Sequence, residues 1–259
     1  GYGFIDGDER MKLIFKEAGI TDAWTTEPVI LGENIRKLAK LPLHFHPGDE
    51  YKYSEGLDVL GYFIEIISGQ SFAEFLESRL FKPLGMNDTA FYLPDSKADR
   101  LVTVQKFENG KWVKYTGVPG YYDADYPIKG ARTHYSGGGG LCSTAKDYAT
   151  FLQMYLNGGE LNGTRILSRK TIETIMAEQV DNSSTGYYGL AFGVLDHDGV
   201  ISGGLGSEGT FNWGGYFNSQ YFADPKEGIL GVILKQTRNT SGDQTGWQFR
   251  QIVFSAVDD

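Results

Sequence analysis

The sequence has 259 residues, 41% hydrophobic and 22% charged, enough apolar material to bury a sizeable core and too much to stay disordered. Its formal net charge of -9 argues against nucleic acid and anionic membrane surfaces, which repel an acidic protein. Cys142 is the only cysteine, so an internal disulfide is excluded, and no apolar run approaches bilayer length.

The chain opens with an amphipathic pattern from Asp8 to Ala18, where Met11, Ile14, Phe15 and Ala18 share a face and Gly19 closes the helix. A second helix is predicted from Gly32 to Leu41, stopped by Pro42. His44 and His46 form a His-x-His pair, which binds metal only when further ligands converge on it, and none has zinc spacing; the pair reads as structural. After Pro47 comes a loop carrying Tyr51 and Tyr53. A helix follows in which Leu57, Leu60, Ile64 and Ile67 recur at helical spacing up to Gly69 and are expected to be buried. Ser71 with Glu74 forms a capping box for the next helix, whose Phe72, Phe75, Leu76 and Leu80 face one way.

Residues 93–135 are richer in proline and tyrosine. Asn109-Gly110 predicts a hairpin turn, and Tyr115, Tyr121 and Tyr122 are candidates to line a substrate pocket. The run Gly137–Gly140 lacks the lysine of a phosphate-binding loop and reads as a tight backbone passage. Ser143-Thr144-Ala145-Lys146 spells Ser-x-x-Lys, a spacing that lets a helix-borne lysine take a serine proton. Here Lys146 falls on the face opposite Tyr148, Phe151, Leu152, Tyr155 and Leu156, toward water, so Ser143 reads as a helix cap. Ser168 caps another helix with Ile172, Ile175 and Met176 inward. From Gly189 the period shifts to strands, and a closing helix is predicted over 244–257.

Three stretches carry a family resemblance: PGDEYKYSEGLDVLG with the helix pair and FKPLGMNDTAFY, then SGGGGLCSTAKDYATFLQMYLNGGELNGTRILS, then GTFNWGGYFNSQYFADPKEGILGVILKQT. They resemble the serine hydrolases of the class C β-lactamase superfamily, in particular the family VIII carboxylesterases. The resemblance implies an α+β fold of the β-lactamase/transpeptidase type, an antiparallel sheet flanked by helices plus a mainly helical region. On that reading residues 1–188 form the helical region and 189–259 the sheet and last helix, both parts of one domain.

The same resemblance implies a catalytic tyrosine at Tyr53, which relays a proton from a serine activated by a Ser-x-x-Lys lysine. Glu55 stands where the β-lactamases carry a substrate-contacting asparagine. Trp213, Gly214 and Gly215 occupy the place of their Lys-Thr-Gly, and the Tyr216 N–H is expected to form half of an oxyanion hole. Tryptophan cannot pair with a substrate carboxylate, which turns the expectation toward neutral esters. Glu55, as an anion, is expected to oppose a phenolate at Tyr53. The implied function is a carboxylesterase acting on small esters through an acyl-enzyme. The alternatives are a β-lactamase, a D-amino-acid peptidase or a non-catalytic binding protein. No cofactor or metal is implied, and the partners are a small ester or amide. Because the superfamily's nucleophile motif precedes the tyrosine, that motif is expected upstream of Gly1, with the chain a C-terminal portion that pairs with it.

Overall fold

The computed structural model describes residues 9–118, 122–181, 186–238, 240 and 242–258. The first helices are α1 (Glu9–Ala18), α2 (Leu31–Leu38), α3 (Gly56–Ser68) and α4 (Phe72–Leu76), the last continuing through a π-helical turn into α5 (Lys82–Leu84). Two hairpins follow, β1 (Gln105–Glu108) with β2 (Lys111–Lys114) and β3 (Gly117–Val118) with β4 (Tyr122–Asp123), then α6 (Tyr126–Lys129) and α7 (Ala145–Leu156). After the hairpin of β5 (Glu160–Leu161) and β6 (Thr164–Arg165) comes α8 (Arg169–Met176). The rest is β7 (Val180–Asp181), β8 (Tyr187–Tyr188), β9 (Gly193–Val194), α9 (His197–Ile201), β10 (Phe211–Gly214), β11 (Gln220–Asp224), β12 (Ile229–Ile233), β13 (Thr237–Arg238) and α10 (Thr245–Phe254).

These elements form two compact units. The first contains the described residues of Gly1–Arg79, with Asp88–Val104 and Lys114–Cys142; the second contains Leu80–Asn87, Gln105–Val113 and the described residues of Ser143–Asp259.

In the first unit Met11 and Phe15 of α1 pack with Ile20 and with Leu31, Ile35 and Leu38 of α2, as the sequence periods require. Tyr62 of α3 closes this core, lying so near Gly32 that a β-carbon there would stand 2.4 Å from its ring. Gly69, at φ 67°, ends α3 in the left-handed conformation, and the Ser71/Glu74 capping box starts α4 as read from the sequence. One expectation fails. The apolar stripe of α3 is not covered: Leu57, Leu60 and Ile67 are more than half exposed, and so are Phe63 and Ile66. The face that α3 buries is instead the one with Asp58 and Gly61, where Gly61 admits the Phe72 ring.

The glycine run forms the tight passage its composition suggests. A β-carbon on Gly137 would meet the Leu57 carbonyl oxygen at 2.3 Å, and one on Gly139 the Trp24 ring at 2.9 Å. Trp24 Nε1 donates to the Gly139 carbonyl at 2.7 Å, and the Tyr126 hydroxyl donates to the Gly140 carbonyl at 2.5 Å.

In the second unit the sheet order is β12-β11-β10-β9-β8-β7, antiparallel throughout. Alternation along β10 and β11 sends Phe211 and Tyr221 to one face, where Tyr155 and Tyr148 of α7 meet them at ring separations of 6.1 and 4.5 Å. Phe222 points to the other face, against Phe249 and Phe254 of α10. β7, β8 and the short α9 carry too few residues to show a sequence period. The pairing of β13 with β1 is likewise non-local, a parallel match of Gln105 with Thr237 and Lys106 with Arg238. The cap of α7 is Thr144, whose hydroxyl accepts the Asp147 N–H at 3.2 Å, rather than Ser143. Lys146 is exposed, as its helical face implies.

Because the Gly137 clash is with backbone, Gly137→Ala should destabilise the protein by about 1–3 kcal/mol in urea or thermal unfolding. Ala at Gly69 or Gly85, which open onto empty space, should cost about 1 kcal/mol from the positive φ alone.

Candidate functional site

Each unit carries a constellation of its own. In the first, Tyr53 lies on the loop entering α3 and is 55% exposed, a phenol held at the surface by the start of a rigid helix. Two residues on, Glu55 occupies the cap position of α3 and turns inward, 1% exposed. It joins Asp22 and Asp58, which are 2% and 3% exposed, in a cluster of buried carboxyl groups. Asp58 accepts the Gly138 N–H at 3.2 Å, and the Ser136 side chain lies beside it. Asp22 accepts from the Tyr122 hydroxyl at 3.0 Å. Glu55 Oε1 and Asp58 Oδ1 have no hydrogen-bond partner among the described residues.

This burial decides the charge state. Desolvation, followed by the proximity of Asp22 and then Asp58, holds the Glu55 carboxyl far above the usual carboxylate range, so it keeps its proton at neutral pH. Desolvation likewise raises Asp58 to about 6, although its hydrogen bonds oppose the shift. Glu55 therefore does not oppose a phenolate at Tyr53 as an anion would, which corrects the reading from sequence. Its side chain is also withdrawn into the unit rather than presented at a surface.

Tyr122 is corrected too. It is 7% exposed, with its hydroxyl on Asp22 and its ring edge-on to Trp24 at 5.0 Å, so it supports the buried cluster and does not line an open pocket. Tyr115 is buried as well, and Tyr121 lies outside the described residues. His44 is half-buried and His46 exposed; among the described residues no group of three or more His, Cys, Asp or Glu side chains is placed to hold a metal.

In the second unit Trp213 and Gly214 close β10, and Gly215 and Tyr216 begin the turn into β11. Trp213 is half-buried, its ring edge-on to Tyr188 at 5.4 Å. Gly214 and Gly215 are exposed, and the Gly215 N–H donates to the Ser219 carbonyl at 2.8 Å. A β-carbon on Gly215 would stand 2.3 Å from Ser219 Oγ, so the strand end stays bare backbone. Arg238 of β13 lies over the Tyr216 ring at 3.7 Å and donates to the Tyr216 carbonyl at 3.3 Å. Arg238 was not singled out from sequence, because its position depends on the non-local pairing of β13.

Residues 12–253 match the family model described as Beta-lactamase. Protein Rv1367c of Mycobacterium tuberculosis is 31% identical over 213 residues, 77% of this chain and 52% of that protein. Esterase EstB of Burkholderia gladioli is 27% identical over 254 residues, 92% of this chain and 62% of that one. Among solved structures, "EstCE1, a hydrolase with promiscuous acyltransferase activity" superposes with a TM-score of 0.81 at 25% identity, over 93% of this chain and 65% of that chain. The chain thus spans between half and two thirds of the length of these relatives.

The raised acids set a pH dependence of stability. Their folded-state pKa values exceed the unfolded ones, so the stabilisation is complete below about pH 4 and is lost as pH rises, through about 6 for Asp58 and further up for Glu55. Glu55→Gln should flatten the upper part of this slope and stabilise the protein at pH 8 by on the order of 1–3 kcal/mol. Thermal unfolding from pH 4 to pH 9 measures it, and an unchanged slope overturns the assignment.

Proposed function

As the chain belongs to the Beta-lactamase family, we propose that it supplies the general base and the oxyanion strand of a serine carboxylesterase acting on small esters. The observation that carries this reading is the exposed Tyr53 phenol, fixed at the mouth of α3 above a Glu55 that burial keeps uncharged. The similarity to Esterase EstB and to the EstCE1 hydrolase supports the reaction class.

In this mechanism a serine hydroxyl adds to the ester carbonyl while Tyr53 takes its proton. The negative charge on the tetrahedral oxygen is met by backbone N–H groups, that of Tyr216 among them. Collapse expels the alcohol, which recovers the proton from Tyr53, and water then hydrolyses the acyl-serine. A free phenol titrates near 10, so Tyr53 needs a cation beside it to act near neutrality, and a lysine one helical turn from the serine is the group suited to that. Ser143 and Lys146 do not serve: Lys146 is exposed and Thr144 holds the helix start.

The serine and lysine then come from polypeptide that this chain does not carry. Support comes from α3, whose five exposed apolar side chains Leu57, Leu60, Phe63, Ile66 and Ile67 form a surface suited to a packed helix. The relatives' additional length accommodates such a segment.

Hydrolysis of p-nitrophenyl butyrate tests the proposal. The chain alone is expected to show no turnover, and joined to a segment bearing Ser-x-x-Lys it should hydrolyse the ester. Tyr53→Phe in that active form should lower kcat by about 10²–10⁴ with little change in stability. Robust turnover by the chain alone, or a Tyr53→Phe form of full activity, overturns it.

A further inference from the structure

We propose that the second unit carries a binding site for a small organic ammonium ion, in a cavity at the end of β10 opposite the Trp213–Tyr216 strand end. The cavity measures about 860 Å³, a size usual for small-ligand sites. Leu195, Val200 and the Tyr187 ring wall it, and Asp196, Glu208 and Lys226 are among its polar groups. Gly209, also in the lining, precedes Trp213 along the chain, so roughly 13 Å of strand separates it from the backbone proposed to meet the oxyanion. The site is thus independent of the esterase reading.

The charge around the cavity selects the ligand. Burial raises the Tyr187 hydroxyl above its ordinary value, and the negative charges of Glu178, Asp196 and Glu208 raise it further, which places three carboxylates about that ring. Glu227 adds another, accepting the hydroxyl of Ser207, a lining residue, at 3.0 Å. Against them the lining sets Lys226 and the imidazole of His197. Lys226 does not cancel the excess from within, because among the described residues neither it nor Glu208 makes an ion pair. A cleft with one-sided charge concentrates the opposite ion. A metal ion is not the match, since among the described residues no group of three or more His, Cys, Asp or Glu side chains is placed to hold one. Carboxylates spread around an apolar wall suit an organic cation instead, its charge toward Asp196 and Glu208 and its hydrocarbon on Leu195, Val200 and the Tyr187 ring.

The two lining carboxylates stand on fixed backbone. Asp196 caps α9, spending one oxygen on the Gly199 N–H at 2.7 Å and leaving the other for a further partner. Glu208 sits on a tight turn in which the Thr210 N–H donates to the Ser207 carbonyl at 3.0 Å and the Gly209 N–H to the Leu195 carbonyl at 2.8 Å. The Ser207 N–H donates in turn to the buried Asp224 carboxylate at 2.7 Å, which ties the turn to β11. Gly209 holds φ 90° there, a conformation that a side chain would strain. Backbone fixed beforehand lowers the ordering cost of binding.

Titration of the chain with phenethylammonium chloride, followed on the Tyr187 and Val200 resonances, tests the site, with 2-phenylethanol, sodium phenylacetate and calcium chloride as comparisons. The expected result is a saturable shift with the ammonium ion at a Kd on the order of 1 mM, and binding at least about tenfold weaker for the alcohol and the anion. Glu208→Gln should weaken the ammonium ion severalfold. Lys226→Gln should tighten it about twofold or more, because an opposing cation is removed, a change that damage to the fold would not produce. Tyr187→Leu, which keeps apolar bulk but loses the ring, should weaken it about two- to fivefold. If Tyr187→Leu fails to fold, the variants at the exposed Glu208 and Lys226 and the comparison compounds still decide. No saturation, equal response to the ammonium ion and the alcohol, unchanged or weaker binding in Lys226→Gln, the same shift with calcium chloride, or a shift at Trp213 without one at Tyr187 overturns the inference. Since no turnover is read, a chain that binds the ammonium ion but never hydrolyses esters refutes the esterase reading alone.

Discussion

The first unit depends on one constraint, the seating of the glycine run on the first turn of α3. Asp58 receives the Gly138 N–H there, and Gly137 is pressed against the Leu57 carbonyl, a spacing that leaves no room for any side chain. Everything chemically interesting nearby follows from that seating. It closes the end of α3, so Glu55 and Asp58 lose water, and losing water without gaining a cation keeps the proton on Glu55. A neutral Glu55 in turn adds no negative charge of its own two residues after Tyr53.

The second unit solves a different problem, how to present bare backbone at a strand end. Its sheet is clamped from both sides by aromatic side chains, Tyr148 and Tyr155 on one face and Phe249 and Phe254 on the other. That fixes β10 and β11 firmly enough for two exposed glycines, Gly214 and Gly215, to keep a defined conformation without side chains of their own. The turn beyond them is held by the Gly215–Ser219 hydrogen bond and by Arg238 lying on Tyr216. A donor group that must meet charge developing during a reaction benefits from such prior fixing, because no reorganisation is needed when the charge forms.

Local chemistry was the legible part of the sequence. The capping box at Ser71 and Glu74, the left-handed Gly69, the Asn109-Gly110 turn and the Ser168 cap each depend on residues within a few positions of one another, and each stands where the residues indicate. The tight passage at Gly137–Gly140 was legible for the same reason. What failed depends on distance. A helical period in α3 reveals that an apolar stripe exists but not that anything lies against it, and in this chain the stripe faces outward. Glu55 reads as a surface acid until Asp22, more than thirty residues away in sequence, is seen beside it. Tyr122 looks like a loop tyrosine until its hydroxyl is found on Asp22, and Arg238 has no significance before β13 meets β1.

The exposed stripe of α3 carries a physical cost. A 13-residue helix that is apolar on nearly all sides belongs inside a protein, and leaving Leu60, Phe63, Ile66 and Ile67 in water forgoes roughly 1 kcal/mol or more for each side chain that a neighbour would cover. The first core does not use that stripe, since Met11 and Phe15 of α1, Leu31, Ile35 and Leu38 of α2 and Tyr62 of α3 form it. A surface that adds little to the core and is costly to leave in water is one that further polypeptide would cover with profit.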